Sequence, residues 1–353
     1  MKKIIGLISL LCIVCLIGGC SLVTDVNDAG DKTADKKDVV VTVDGKEYGI
    51  DRFNLYFYDA QDEYLKDAGY TNASEIPADF WDKKVDGKKT NLEVVKEKAL
   101  ADLIDDVVAY NKAIERDVTI SNDEKSYISN QISQLKQDKV SLAQFEYMGI
   151  SVDEFEDYYM ESAYIQYLIS QMVEKEEIVP EEADVSKYYE TEFVKAKHIL
   201  IPTINQETNQ PLSEKAVEEA KQKAADILNK IKSGADFDEI MNTESKDPGL
   251  ATAPEGYVFT KGEMVLPFEK AAFALKINEV SDLVTTDYGI HIIKRVPFNP
   301  EGEAELQAYD TAKQIVAEKE FKKQVKVWKS KADIKTNDKV LKKVEPTIIK
   351  NEE

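Results

Sequence analysis

The chain has 353 residues, 43% of them hydrophobic and 32% charged, with a formal net charge of −21. That balance supports a packed core with room for two ordinary domains and excludes wholesale disorder. The acidity is localised, since residues 21–193 carry 40 acids and 19 bases whereas residues 194–297 carry 16 and 13. A surface of that sign repels nucleic acid, so no nucleic-acid partner is expected.

At the N-terminus, Lys2 and Lys3 precede an uncharged run from Ile4 to Ile17. The run is too short for a comfortable membrane span and reads as a targeting segment. It ends in "LIGGC", which resembles the lipobox of bacterial lipoproteins. That resemblance implies cleavage before Cys20, diacylglycerol on the Cys20 thiol, and a membrane anchor. Residues 1–19 are then a signal peptide. Residues 20–38 are polar and aperiodic after the cysteine and read as a flexible lipidated tether. Cys12 and Cys15 fall in the discarded segment, which leaves one cysteine and no internal disulfide in the mature chain.

Residues 39–191 read as a mostly helical module. It starts with a hairpin, where Val39, Val41 and Val43 alternate with other residues and Asp44-Gly45 supplies the turn. An aromatic-rich helix follows from Asp51. The clearest helix lies over 90–117: Thr90 and Glu93 form a capping box, and Val95, Ala99, Leu103, Val107, Tyr110 and Ile114 recur at threes and fours. Ser121 with Glu124, and Ser151 with Glu154, open two more. A short linking helix enters at Pro180.

The pattern changes at Glu192. Over residues 192–298 it predicts one strand, two helices, a strand, a helix and two strands, a small α+β domain with a four-stranded, mainly antiparallel sheet. Helical periodicity returns after 299, with Leu306, Tyr309, Val316, Phe321, Val325 and Trp328 on one long helix, and "ADIKTNDKV" reads as a short strand. A lone amphipathic helix needs a partner surface. Residues 299–353 are therefore expected to pack on the N-terminal module, making the small domain an insert in a discontinuous helical one.

Within 259–296 the chain reads "FTKGEMVLPFEKAAFALKINEVSDLVTTDYGIHIIKRV". Its G-x-M, P-F-x-x-A-x-F-x-L, V-x-T and G-x-H-I-I elements, in that order and spacing, together with "AKHIL" upstream, resemble the parvulin family of peptidyl-prolyl cis/trans isomerases. Such an enzyme turns X-Pro bonds, which interconvert slowly because rotation breaks amide resonance. No proton has to leave and no covalent bond has to form. The site grips the proline ring, excludes water and stabilises the twisted amide.

The resemblance implies that Met264 and Phe268 form the proline-ring floor and Phe259 a further wall; core packing is the alternative for all three. It implies that His198 and His291 sit side by side beneath the pocket and share a hydrogen-bond network. It also implies that Asp247 and Thr286 join them. A turn role for Asp247 in "SKDPG" and a plain strand role for Thr286 remain open. A zinc site needs three or four ligands, and no third with metal-like spacing accompanies the histidines, so neither metal nor cofactor is expected.

One stretch departs from the family. "APEGYVF" stands where many parvulins read G-G-D-L-G before the aromatic strand, and the usual leucine wall falls on Gly256, beside Pro254 and Glu255. A more open or more polar rim is expected there. Helical module, insert and lipobox together resemble lipid-anchored extracellular foldases of Gram-positive bacteria. That implies a chaperone role for the helical module, exported unfolded proteins with X-Pro bonds as clients, and pairing of two copies through it. The alternative is a holdase with a weakly active or inactive parvulin domain.

Overall fold

The computed structural model describes residues 38–70, 75–85 and 87–346; the signal segment and Cys20 lie outside them. Two compact units emerge, one built from residues up to Ile178 together with those from Lys319 onward, the other from Val179–Glu318.

In the first unit, Val39–Val43 (β1) and Lys46–Gly49 (β2) form the predicted hairpin. Asp44 and Gly45 both take positive φ, 49° and 85°, as a two-residue turn matched to strand twist requires. The strand Ile334–Thr336 (β9) adds to the other edge of β1, so segments almost 300 residues apart share one sheet. A two-rung hairpin, Lys84–Val85 (β3) with Lys89–Thr90 (β4), was not foreseen.

The helices of this unit include Ile50–Asp67 (α1), Asn91–Glu115 (α2), Asn122–Leu135 (α3), Lys139–Met148 (α4) and Val152–Glu174 (α5). The capping box of α2 has both its bonds: Glu93 N donates to Thr90 Oγ1 at 3.1 Å and Thr90 N to Glu93 Oε2 at 2.8 Å. The core includes Val95, Ala99, Leu103 and Val107, while Ile114 is exposed and Ala113 takes the inward position. Arg52 is buried between α1 and α5, where it pairs with Glu161 and, at 3.0 Å, with Glu154. A charge taken out of water needs such partners.

The second unit holds Glu182–Glu192 (α6), Phe193–Pro202 (β5), Glu214–Lys232 (α7), Phe237–Glu244 (α8), Tyr257–Thr260 (β6), Leu266–Ala274 (α9), Val284–Thr286 (β7) and Gly289–Arg295 (β8). Its sheet is antiparallel throughout, in the order β6-β5-β8-β7. Side chains alternate between its faces. Ile199, Ile201, Ile290 and Ile292 cluster with residues of α7 and α8. Val194, Ala196 and Ile293 cluster with Phe268 and Ala272 of α9.

This unit is wider than the 192–298 read from the pattern. The long helix Glu303–Lys329 (α10) gives its residues up to Glu318 to it and the rest to the first unit. The reason is a third apolar cluster, in which Val185 and Tyr189 of α6 meet Ala308, Ala312 and Val316 of α10. The linking helix and the first half of α10 thus belong with the sheet. Leu306, placed on the predicted stripe, is exposed, and its neighbour Glu305 is buried instead. Glu305 Oε1 meets Lys195 Nζ of β5 at 2.5 Å and accepts from Asn299 N at 3.0 Å.

Candidate active site

The register of the sheet brings the two histidines together. His198 of β5 lies opposite Ile293 of β8, and Leu200 opposite His291. The histidines are therefore diagonal neighbours on adjacent strands, on the α9 face. The same face receives Tyr257 from β6, whose partner is Ala196, and Thr286 from β7, two residues beyond the partner of His291. Each of the four strands thus contributes one polar side chain to a single row.

Above this row lies a cavity of about 470 Å³. Met264 precedes α9 and Phe268 sits in its first turn, where Pro267 starts the helix with no donor to lose. Both line the cavity. The Phe268 ring stands edge-on to both imidazoles, at 5.1 Å from His198 and 5.3 Å from His291. The imidazoles are 5.2 Å apart, centroid to centroid.

Asp247 reaches the row from a loop. Lys246 N donates to Leu200 O at 2.9 Å, and Leu200 N to Ser245 Oγ at 3.1 Å, which clips the loop to β5. Asp247 also caps the short 3-10 turn Pro248–Ala251 by accepting from Gly249 N. Its turn role and its place in the site are compatible.

The polar contacts are directional. Thr286 Oγ1 accepts from Tyr288 N at 3.2 Å, which leaves its proton available to His291 Nε2, 2.9 Å away. Asp247 Oδ2 accepts from the Tyr257 hydroxyl at 2.6 Å. His198 Nε2 lies 3.7 Å from the same oxygen, beyond hydrogen-bond length but within electrostatic reach. The two Nδ1 atoms are buried without a partner among the described residues. The rings therefore share neighbours rather than a bond to each other.

Burial pushes His198 below the usual histidine range against the pull of Asp247. Burial, with His198 close by, pushes His291 down to about 4. Burial thus favours the uncharged form of both rings, which suits a site that moves no proton. Among the described residues no cluster of three or more His, Cys, Asp or Glu side chains is arranged for a metal.

Of the residues anticipated from sequence, His198, His291, Asp247, Met264 and Phe268 line the cavity, and Thr286 stands against His291. Phe259 does not line it. It packs behind Phe268, 5.9 Å between ring centroids, because its strand position opposite Val194 faces the α9 core. Tyr257 and Tyr288, with Ile204, Gln206 and Asn209 of the loop after β5, are among the further lining residues that were missed. Period-two alternation from Phe259 would have put Tyr257 on the right face; the loop residues carry no such signal.

The departure at Gly256 also has a physical cause. The residue takes φ +100°, and a Cβ there would lie 2.8 Å from Ala196 O. A leucine cannot occupy this backbone position.

Residues 182–296 match the family described as "PPIC-type PPIASE domain". This part of the chain is a parvulin-type peptidyl-prolyl isomerase domain. A "Parvulin-like PPIase" from Rickettsia bellii is 38% identical over 125 residues, covering 33% of this chain and 43% of that protein. A "Foldase protein PrsA" from Caldanaerobacter subterraneus is 26% identical over 88% of this chain and 93% of its own length. A Staphylococcus aureus protein of the same description is 33% identical over 52% of this chain and 56% of its own. The shorter matches thus carry the higher identities, and the likeness to the Caldanaerobacter foldase extends over most of the chain.

Proposed function

We propose that the protein is a lipid-anchored foldase on the outer face of the cell membrane of a Gram-positive type bacterium, assisting exported chains by turning their X-Pro bonds. The observation that carries the proposal is the cavity lined by Met264 and Phe268 and backed by two imidazoles and a carboxylate. Met264 and Phe268 hold the proline ring against an apolar surface. As resonance is lost, the amide nitrogen gains lone-pair character and its carbonyl swings round. The Asp247 carboxylate, the imidazoles and the Thr286 hydroxyl are already fixed, so the twisted amide meets a polar wall that needs no rearrangement. The helical module holds the client chain, and Cys20 provides the anchor.

An uncatalysed barrier of roughly 18–20 kcal/mol leaves ample room for a measurable effect. Exchange spectroscopy on short X-Pro peptides, without a coupling protease, measures turnover directly. Met264→Ala is expected to lower kcat/KM about tenfold while the sheet's amide spectrum stays intact. Wild-type turnover no faster than the uncatalysed rate refutes the isomerase reading. Unfolding by Met264→Ala would make that residue core instead of floor.

A further inference from the structure

The Tyr257 hydroxyl belongs to no part of the resemblance, yet the site is built round it. It donates to Asp247 Oδ2 at 2.6 Å, while Gly249 N donates to Oδ1 at 3.2 Å. Each carboxylate oxygen thus has its own donor. A Cβ on Gly249 would collide with the Tyr257 hydroxyl, so the "DPG" turn leaves room for the phenol. The phenol is a donor throughout the working pH range, because burial and its bond to Asp247 push its ionisation well above the ordinary tyrosine value.

His198 Nε2 is the next polar atom, 3.7 Å from Oδ2. A carboxylate with a free oxygen that close to an imidazole closes the gap and makes a charge-assisted bond, which favours the imidazolium. The tyrosine on Oδ2 and Gly249 N on Oδ1 together pin the carboxylate where it stands.

We propose that Tyr257 is a positioning residue: its hydroxyl holds the Asp247 carboxylate off His198, so that the two do not pair and the carboxylate stays a fixed feature of the pocket wall. The proposal deepens the isomerase reading and rests on it for its kinetic consequence. The groups acting on His198 are Asp247, from the loop, and His291, from β8; Tyr257 acts through the first.

The chain's two histidines make the test clean, since imidazole resonances of the full-length protein number two sets. In Tyr257→Phe the ring and its packing remain and only the hydroxyl is lost. The His198 titration midpoint is expected to rise, and kcat to fall about fivefold to twentyfold with KM within twofold. The loss is expected to grow as pH falls. In an Asp247→Asn background, Tyr257→Phe is expected to change neither quantity further. An unshifted His198 titration in Tyr257→Phe overturns the proposal. So does a kcat loss that persists undiminished in the Asp247→Asn background, because the hydroxyl would then be acting on the substrate directly. Absence of turnover in the wild type would sink the isomerase reading alone, and the titration would still decide whether Tyr257 restrains Asp247.

Discussion

The ion pair between Lys195 and Glu305 joins β5 to α10, three residues before His198 in the strand. Both side chains are almost fully buried, at 6% and 5% exposure, and their nitrogen and oxygen stand 2.5 Å apart. Losing one partner strands the other charge away from water, at a cost of about 3–5 kcal/mol. Glu305→Leu leaves the ammonium without an anion and is expected near 4 kcal/mol. Lys195→Met is expected nearer 3 kcal/mol, since Asn299 N still donates to the carboxylate. Replacing both by apolar side chains of similar volume is expected to cost about 1 kcal/mol or less. The coupling energy is then large, on the order of 5 kcal/mol or more. Hydrogen exchange of the β5 and β8 amides gives the readout, with a single variant lowering protection by roughly a hundredfold or more. Tryptophan fluorescence would be blind to the change, because Trp81 and Trp328 both lie in the other unit. Single substitutions costing under about 1 kcal/mol, or an additive double variant, would refute the reasoning and mean that water reaches the pair.

The two units are expected to answer acid in opposite ways. His291, held down at about 4, is a neutral ring in the native state, so the stability it gives is full above pH 6.5 and is lost as pH falls through 4, by about 3 kcal/mol. Burial pushes the Asp106 carboxyl up to about 6 despite its bond from Tyr56, so the first unit loses stability as pH rises from about 4 through 6. Exchange of sheet amides and tryptophan fluorescence, each measured across pH 4–7, separate the two; slopes of the same sign would contradict the assignment. Gly256→Ala is expected to destabilise the sheet unit by about 2–4 kcal/mol, from its φ of +100° and the contact with Ala196 O, and a melting temperature unchanged within a degree would count against that close approach.

The residues that repeat a local rule were legible. Capping at Thr90, Ser121 and Ser151, the hairpin at Asp44-Gly45, and the alternation round His198 and His291 are written within a few residues of one another. That Met264 and Phe268 share one cavity was legible because they lie within five residues of each other, either side of a helix start. What escaped depends on distance along the chain. Lys195 and Glu305 are 110 residues apart, and each alone reads as a solvated charge. Phe259 has an aromatic's pattern whether it faces a ligand or stands behind Phe268, and only the crowding by α9 decides. Helix α4 was missed because the capping residue Asp138 follows closely on the end of α3, with no Gly or Pro between them to mark a break.

The row of Tyr257, His198, His291 and Thr286 draws one residue from every strand of its sheet. A slip of one residue in any strand would turn that side chain to the opposite face. The complete row accordingly requires all four strands in register at once. Activity reports whether the whole sheet has found its alignment. In the foldase proposed above, the centre that would act on other chains comes into being only at the completion of its own fold.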